Sequence, residues 1–146
     1  MRILFLDVDG VLNRKGFEPV DAVELASWIE PALAARLAAA IRAIDAQVVM
    51  ASDWRTACSL DELRAQLARA GIDAPLRDIT PVIDGQPRWR EIEAWMVEHR
   101  VHPEDIVIVD DELTMGPLGW RHVRTSPLDG LDEPAAAAIQ AMFAPP

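Results

Sequence analysis

Four aspartates follow two short apolar runs of this sequence, as the pairs Asp7 with Asp9 and Asp110 with Asp111. If the pairs share one site, like charges about 4 Å apart repel by roughly 4 kcal/mol per pair at an effective dielectric constant of about 20. Protons or a cation must offset that repulsion. Carboxylate oxygens without an accompanying Cys or His cluster suit a hard cation, and a half-open site of this kind suits Mg²⁺. The sequence therefore predicts a magnesium site with these four aspartates as ligands.

The spacing of the first pair indicates a second role. In an extended chain, residues i and i+2 point to the same side, so Asp7 and Asp9 can face one substrate. One carboxylate could act as a nucleophile that forms an aspartyl-phosphate. The other could protonate the leaving oxygen and later activate water. Gly10 follows them and allows a sharp turn with no side chain in the way.

Three further residues are candidates for holding a phosphate group. Ser52 ends a second apolar run, and its hydroxyl can donate a hydrogen bond to a phosphate oxygen. Arg88 and Arg90 begin a predicted helix, and either could supply the positive charge that such a site needs. We therefore predict phosphate binding by Gly10, Ser52 and one of these two arginines.

Strand and helix patterns that alternate along the sequence predict the elements that position these residues. Short apolar runs predict strands at 3–6, 47–51 and 105–109, and two further short strands are predicted at 75–79 and 121–124. Helices are predicted at 31–44, 60–70, 88–100 and 134–143, mainly from apolar residues at helical spacing. Strands that alternate with helices indicate an α/β fold, a three-layer Rossmann-like parallel sheet with helices on both faces. Ligands of such sheets bind outside the carboxyl ends of the strands. The polar ends of the first, second and fourth strands should therefore meet at one edge.

The bulk composition narrows the class of protein. A chain of 146 residues with 51% hydrophobic residues suits a single domain, 1–146. A net charge of −10 gives no general attraction for nucleic acid or an anionic membrane. One cysteine excludes an intrachain disulfide, and the apolar run at the N-terminus is too short for a signal peptide or a membrane span. We expect a soluble, cytoplasmic protein.

These motifs together resemble the haloacid dehalogenase (HAD) superfamily. Residues 5–12 (FLDVDGVL) are similar to its first motif, 48–52 (VVMAS) to the second and 106–111 (IVIVDD) to the fourth. The three motifs occur along the chain in the same order as in the superfamily, and together they span nearly the whole chain. More narrowly, residues 51–54, 88–95 and 109–112 resemble the small HAD domains of Swiss Army Knife RNA repair proteins.

The resemblance implies a role for each matching residue. Asp7 would be the nucleophile, Asp9 the general acid and base, and Ser52 a phosphate ligand. Asp110 would bind Mg²⁺ with help from Asp111, and the backbone carbonyl of Asp9 would be a further ligand. An aspartate two residues after the nucleophile is the form of the motif found in phosphatases of this superfamily, so the resemblance implies a phosphomonoester hydrolase.

The sequence departs from the superfamily pattern in one respect. A lysine is usual at the third motif, but this chain has only Lys15, which comes far too early. Arg88 or Arg90 must then replace it with a forked, permanently charged donor. Residues 11–30 leave room for a flap and not for a large cap domain. An uncapped site would admit a phosphorylated substrate as large as a nucleic-acid end or a phosphoprotein, although the acidic charge argues against tight binding of nucleic acid.

Three other functions are compatible with clustered aspartates. A receiver-type signalling domain also uses Mg²⁺ and a phosphorylated aspartate, but its acidic pair ends the first strand and its phosphorylated residue comes later. A catalytically weak or inactive binding module would keep the acids without turnover, and the missing lysine favours it slightly. A Toprim-type nuclease has its Asp-x-Asp late in the chain. The order of motifs favours the phosphatase.

Overall fold

The structure is a computed structural model that describes residues 1–145. In chain order the strands and α-helices are β1 (Arg2–Leu6), α1 (Pro31–Ile44), β2 (Ala46–Met50), α2 (Leu60–Arg69), β3 (Leu76–Ile79), α3 (Arg88–His99), β4 (Ile106–Asp110), β5 (His122–Arg124) and α4 (Glu133–Ala141). The predicted order is confirmed, and every bound lies within two residues of its predicted position, the usual scatter at element ends. Short 3-10 helices lie at Leu25–Trp28, Asp53–Thr56, Pro103–Asp105 and Gly116–Arg121.

The five strands form one parallel sheet in the order β3-β2-β1-β4-β5. Leu6 at the end of β1 pairs with Met50 on one side and Val109 on the other. The ladders continue past the strand, because Asp7 N donates to Val109 O at 3.0 Å and Ala51 N donates to Leu6 O at 2.9 Å. This register brings the residues after β1, β2 and β4 to the same height at one edge of the sheet.

Each face of the sheet is covered by helices. Along β1, Leu4 and Leu6 pack into the apolar core under α1, α2 and α4, whereas Ile3 and Phe5 pack into a second core under α3. Strands buried on both faces require a nearly continuous apolar sequence, which explains why β1 and β4 have so few polar positions. The rings of Phe5 and of Trp95 on α3 are nearly perpendicular, at a centroid distance of 5.5 Å. The predicted three-layer architecture is thus confirmed.

Helix ends follow the signals in the sequence. Ser59 accepts a hydrogen bond from Glu62 N and its own N–H donates to the Glu62 carboxylate, so the predicted capping box is present at the start of α2. At the other end, Gly71 has a φ of 90° and Ile72 N donates to Leu67 O at 2.9 Å. This is the glycine-dependent helix stop that the sequence predicted.

The segment 11–30, where the sequence predicts a flap, forms turns and the 3-10 helix Leu25–Trp28. That helix packs on α2, where Ala26 N donates to Gln66 Oε1 at 2.9 Å. No separate cap domain is present within residues 1–145. Among those same residues, no helix combines the length and apolar character needed to cross a membrane.

Candidate active site

Three aspartates meet at the carboxyl edge of the sheet, as the sequence predicted. Asp7 directly follows β1, Asp110 is the last residue of β4, and Asp111 comes next. One carboxylate oxygen from each lies within 4.8 Å of the other two. Asp7 is 6% exposed and Asp110 is 1% exposed, so little water reaches either group to screen their repulsion.

The fourth predicted metal ligand, Asp9, lies apart from this group. The same-side rule for i and i+2 holds only while the chain is extended, and here it turns: Leu12 N donates to Val8 O at 2.8 Å. The exposed Asp9 carboxylate accepts a hydrogen bond from Asn13 Nδ2 at 2.9 Å. It therefore stands at the rim of the site, outside the group of three carboxylates.

Gly10 is required where the turn passes Asp111. Its φ is 82°, and a Cβ atom at this position would overlap the Asp111 carboxylate. Gly10 N donates to Asn13 Oδ1 at 3.1 Å, and Gly10 O accepts from Thr125 Oγ1 at 2.7 Å. Both of its backbone polar groups have protein partners, so the structure gives Gly10 a steric role, and phosphate binding by Gly10 stays a prediction.

Arg88 supplies positive charge to the cluster. It is the first residue of α3, and its Nη1 lies 3.0 Å from Asp7 Oδ1 and 3.0 Å from Asp110 Oδ2. Its Nη2 donates to Asp53 Oδ1 at 3.2 Å. Arg88 thus stands where the missing third-motif lysine would be needed.

Arg90, the other predicted phosphate ligand, is directed elsewhere. Two residues along an α-helix turn the side chain about 200° around the axis, to the opposite face. The Arg90 guanidinium lies 4.4 Å from the centre of the Trp89 ring and 3.6 Å from Glu93 Oε1. The structure does not bring Arg90 to the aspartates, which corrects that half of the prediction.

The electrostatics show an excess of negative charge. Burial and the nearby Asp110 carboxylate raise the pKa of Asp7 to about 8, although Arg88 lowers it in part. Burial also raises the pKa of Asp110, against the opposing effects of Arg88 and of the Glu112 N–H. Burial alone would lower the pKa of Arg88, but Asp7 and Asp110 outweigh it and raise that pKa above its ordinary value. One guanidinium does not neutralise this group of carboxylates.

Ser52 follows β2 by two residues, at the same edge of the sheet as the cluster, and is 1% exposed. Its Oγ accepts a hydrogen bond from Trp54 N at 3.2 Å, which begins the 3-10 helix Asp53–Thr56. The hydroxyl proton is not used by that bond. Ser52 can therefore still donate to an oxygen of a bound phosphate, the role that the sequence predicted.

Two buried charged residues near the site were not predicted from the sequence. Arg55 Nη2 lies 2.7 Å from Glu91 Oε1, and the two side chains are 2% and 9% exposed. Arg55 also donates to the carbonyls of Ser52 at 2.8 Å and Thr80 at 3.2 Å. The pair ties the Ser52 loop to α3, which carries Arg88. A polar segment such as 52–56 contains no apolar periodicity that would reveal a buried arginine.

Asn13 was also missed, although a signal for it existed. Its side chain bonds Asp9, the Gly10 N–H and the carbonyl of Trp28, so it closes the turn that carries Asp9. Asn is one of the residues whose side chain commonly bonds nearby backbone in turns. An Asn three residues after a glycine in a polar turn could have been recognised for that reason.

The carboxylate group suits a divalent cation by its donor set. Asp7, Asp110 and Asp111 offer hard oxygen atoms close together, and within residues 1–145 no Cys or His joins their group. Mg²⁺ takes one or two carboxylates, several waters and phosphate oxygens, and does not need a complete protein cage. These residues therefore fit Mg²⁺, with the raised pKa values marking the charge that a cation would offset.

A parallel α/β sheet with an aspartate cluster at its carboxyl edge is the arrangement of HAD-type hydrolases expected from the motifs. Residues 3–136 match the family described as HAD domain in Swiss Army Knife RNA repair proteins. Because this match covers most of the chain, the protein belongs to that family, and the resemblance read from the motifs is confirmed. Comparisons with curated proteins and with solved structures found no match.

Proposed function

We propose that this protein is a Mg²⁺-dependent phosphatase that hydrolyses phosphate monoesters through an aspartyl-phosphate on Asp7. The observation that carries the proposal is the placement of Asp7, buried between two further carboxylates and in contact with Arg88. A buried carboxylate held by a guanidinium, with a hydroxyl donor beside it, is suited to attack a phosphoryl group and to hold its oxygens.

In the first half of the reaction, a carboxylate oxygen of Asp7 attacks phosphorus. The bond from phosphorus to the ester oxygen breaks, and protonated Asp9 gives its proton to that departing oxygen. Ser52 and Arg88 donate hydrogen bonds to the phosphoryl oxygens throughout. The products are an alcohol and a phosphoryl group bound covalently to Asp7.

In the second half, a water molecule attacks the phosphorus of the acyl phosphate. Asp9, now a carboxylate, accepts a proton from this water, and the bond from phosphorus to the Asp7 oxygen breaks. Inorganic phosphate leaves, Asp7 is again a carboxylate, and Asp9 is again protonated. The hydrogen bond from Asn13 keeps the Asp9 carboxylate on the rim, where both the leaving oxygen and water can reach it.

When bound, Mg²⁺ supplies positive charge that keeps Asp7 ionised and offsets the charge of the phosphoryl oxygens. Asp7, Asp110 and Asp111 are the residues that would hold it. Asp9 contributes no carboxylate to that group, which leaves it available for proton transfer.

The test is hydrolysis of p-nitrophenyl phosphate, with and without EDTA, by the wild type and two variants. Asp7→Asn keeps the shape of the side chain and removes the anionic nucleophile, so its turnover should fall to the background rate. Asp61→Asn is the matched control, since the Asp61 side chain is 93% exposed on α2 and pairs with Arg64. Turnover that needs Mg²⁺ and survives in the control supports the proposal. Turnover that persists in Asp7→Asn would contradict it.

A further inference from the structure

A small cavity adjoins the rim of the active site. It has a volume of about 270 Å³ and is lined by Asp9, Asp53, Trp54 and Ala57. Most of its lining is apolar, and it opens to solvent. None of the three aspartates of the metal site lines this space, and Asp9 is the one proposed catalytic residue that does.

The wall formed by Trp54 is fixed in position. Trp54 N donates to Ser52 Oγ at 3.2 Å, and Trp54 O accepts from the N–H groups of Ala57 and Cys58 at 3.1 Å each. The indole also packs against the main apolar core. One hydrogen bond therefore connects the backbone of Trp54 to Ser52, the residue proposed to hold the phosphoryl group.

The position of Asp9 indicates what enters the cavity. Resting on the proposed function, Asp9 protonates the oxygen of the departing alcohol, so that alcohol must lie beside Asp9 while the phosphoryl group contacts Asp7 and Ser52. Asp9 and Trp54 line the same cavity. The leaving group is therefore the part of the substrate that meets the indole.

The charge of the cavity restricts the leaving group further. Asp9 carries a proton when the substrate binds, so Asp53 supplies the negative charge among the lining residues; its side chain is 88% exposed, and one of its oxygens accepts from Arg88. An anionic leaving group would be repelled here, and an indole face favours a flat ring. We propose that the preferred substrates are phosphate monoesters whose leaving group carries a neutral, planar ring that stacks on Trp54.

The test compares kcat/KM for two phosphates of similar size, benzyl phosphate and cyclohexylmethyl phosphate. Both release a primary alcohol, and only the first carries a flat ring. Stacking predicts about a tenfold preference for benzyl phosphate in the wild type. The same ester with a para-carboxylate on the ring should react more slowly than benzyl phosphate.

Variants of Trp54 separate stacking from a structural role. Trp54→Leu should lower kcat/KM for benzyl phosphate to about that for cyclohexylmethyl phosphate, which the variant still hydrolyses, and Trp54→Phe should restore part of the preference. Trp120→Leu is the matched control, because Trp120 is 57% exposed and does not line the cavity. Its preference should equal that of the wild type.

Two outcomes would overturn the inference in different ways. Hydrolysis of both phosphates with equal kcat/KM, or an equal loss for both in Trp54→Leu, would remove the stacking site and leave the phosphatase proposal intact. Failure of the folded wild type to hydrolyse any of these phosphates, p-nitrophenyl phosphate included, would overturn the phosphatase proposal and this inference with it.

Discussion

Arg88 shows how helix geometry decides between two residues that the sequence leaves equivalent. Both arginines lie in the first turn of α3, but only the first points along the sheet edge, where its guanidinium meets Asp7 and Asp110. The forked guanidinium contacts both carboxylates through Nη1 while Nη2 contacts Asp53, whereas a lysine ammonium would be a single compact point charge. Arg88 therefore serves the cluster in place of a lysine.

Removal of this guanidinium should slow the proposed reaction strongly. We expect Arg88→Met to lower kcat/KM for p-nitrophenyl phosphate about a hundredfold, the usual cost of losing one donor to a charged reacting group. Arg88→Lys should recover part of the loss. Steady-state kinetics with Arg90→Met as the control should show wild-type activity for that variant, because Arg90 contacts Trp89 and Glu93. A large loss in the control would contradict the assignment.

At this scale, site residues that follow a strand can be predicted from the sequence, whereas contacts made within and between loops cannot. Asp7, Ser52 and Asp110 were found because each follows an apolar run whose end must lie at the ligand-binding edge. The outward turn of Asp9 depends on hydrogen bonds from Asn13, which no periodicity reveals. Gly10 was recognised as a turn residue, but its contact with Asp111 joins two segments far apart in sequence.

At the scale of elements, a buried ion pair joins the 3-10 helix Asp53–Thr56 to α3. Arg55 and Glu91 are almost completely buried, and Glu91 also accepts from Ile83 N at 2.9 Å. This contact determines the spacing between the Ser52 loop and the start of α3, and so between Ser52 and Arg88. Two of the donors proposed for phosphate thus depend on one side-chain pair.

Breaking that pair should destabilise the fold. Glu91→Ala leaves a buried guanidinium without its partner, and such losses typically cost about 3–5 kcal/mol in the free energy of unfolding. Urea unfolding followed by circular dichroism measures the change. Asp61→Ala, which removes an exposed partner of Arg64, should leave the unfolding midpoint close to that of the wild type. Equal midpoints for Glu91→Ala and the wild type would contradict the role given to this pair.

The α-helices and strands were predictable because each carries a strong local signal, such as the capping box at Ser59 or the four apolar residues of β4. The four 3-10 helices within residues 1–145 were not predicted. They are three to six residues long, too short for a helical apolar stripe to be recognised. The site depends on one of them, because Asp53–Thr56 presents Trp54 and Arg55.

At the scale of the whole molecule, the strand order β3-β2-β1-β4-β5 places β1 at the centre. The alternation of strands and helices predicted a parallel sheet but not this order, because pairing of β1 with β4 joins residues about a hundred positions apart. Once β1 lies between β2 and β4, Asp7 necessarily lies between Ser52 and Asp110. The topology therefore assembles the site.

Stability without metal should fall as the pH rises. The folded protein binds a proton on Asp7 with a pKa of about 8, against an ordinary value of 3.8 for an unfolded aspartate. A carboxyl pKa raised by folding contributes stability that is complete below about pH 4 and is lost as the pH rises towards 8. Thermal unfolding in EDTA should show Tm decreasing across this window, with a smaller slope in Asp7→Asn.

Added Mg²⁺ should reverse that dependence, because it binds the deprotonated carboxylates and stabilises the folded state by mass action. The increase in Tm on adding Mg²⁺ should be larger at pH 8 than at pH 5. An increase in Tm of equal size at both pH values, or one that Asp7→Asn leaves unchanged, would show that Mg²⁺ does not bind at this cluster.

The most direct test of the central claim is capture of the phosphoryl group on Asp7. The Asp9→Asn variant should still react with p-nitrophenyl phosphate, since p-nitrophenolate departs without a proton, but it should hydrolyse the intermediate slowly. We predict a burst of p-nitrophenolate equal to the enzyme concentration. After acid quenching, mass spectrometry should find one added phosphoryl group on the peptide that contains Asp7. A burst with the phosphoryl group on another residue, or steady turnover with no phosphorylated peptide, would contradict the account.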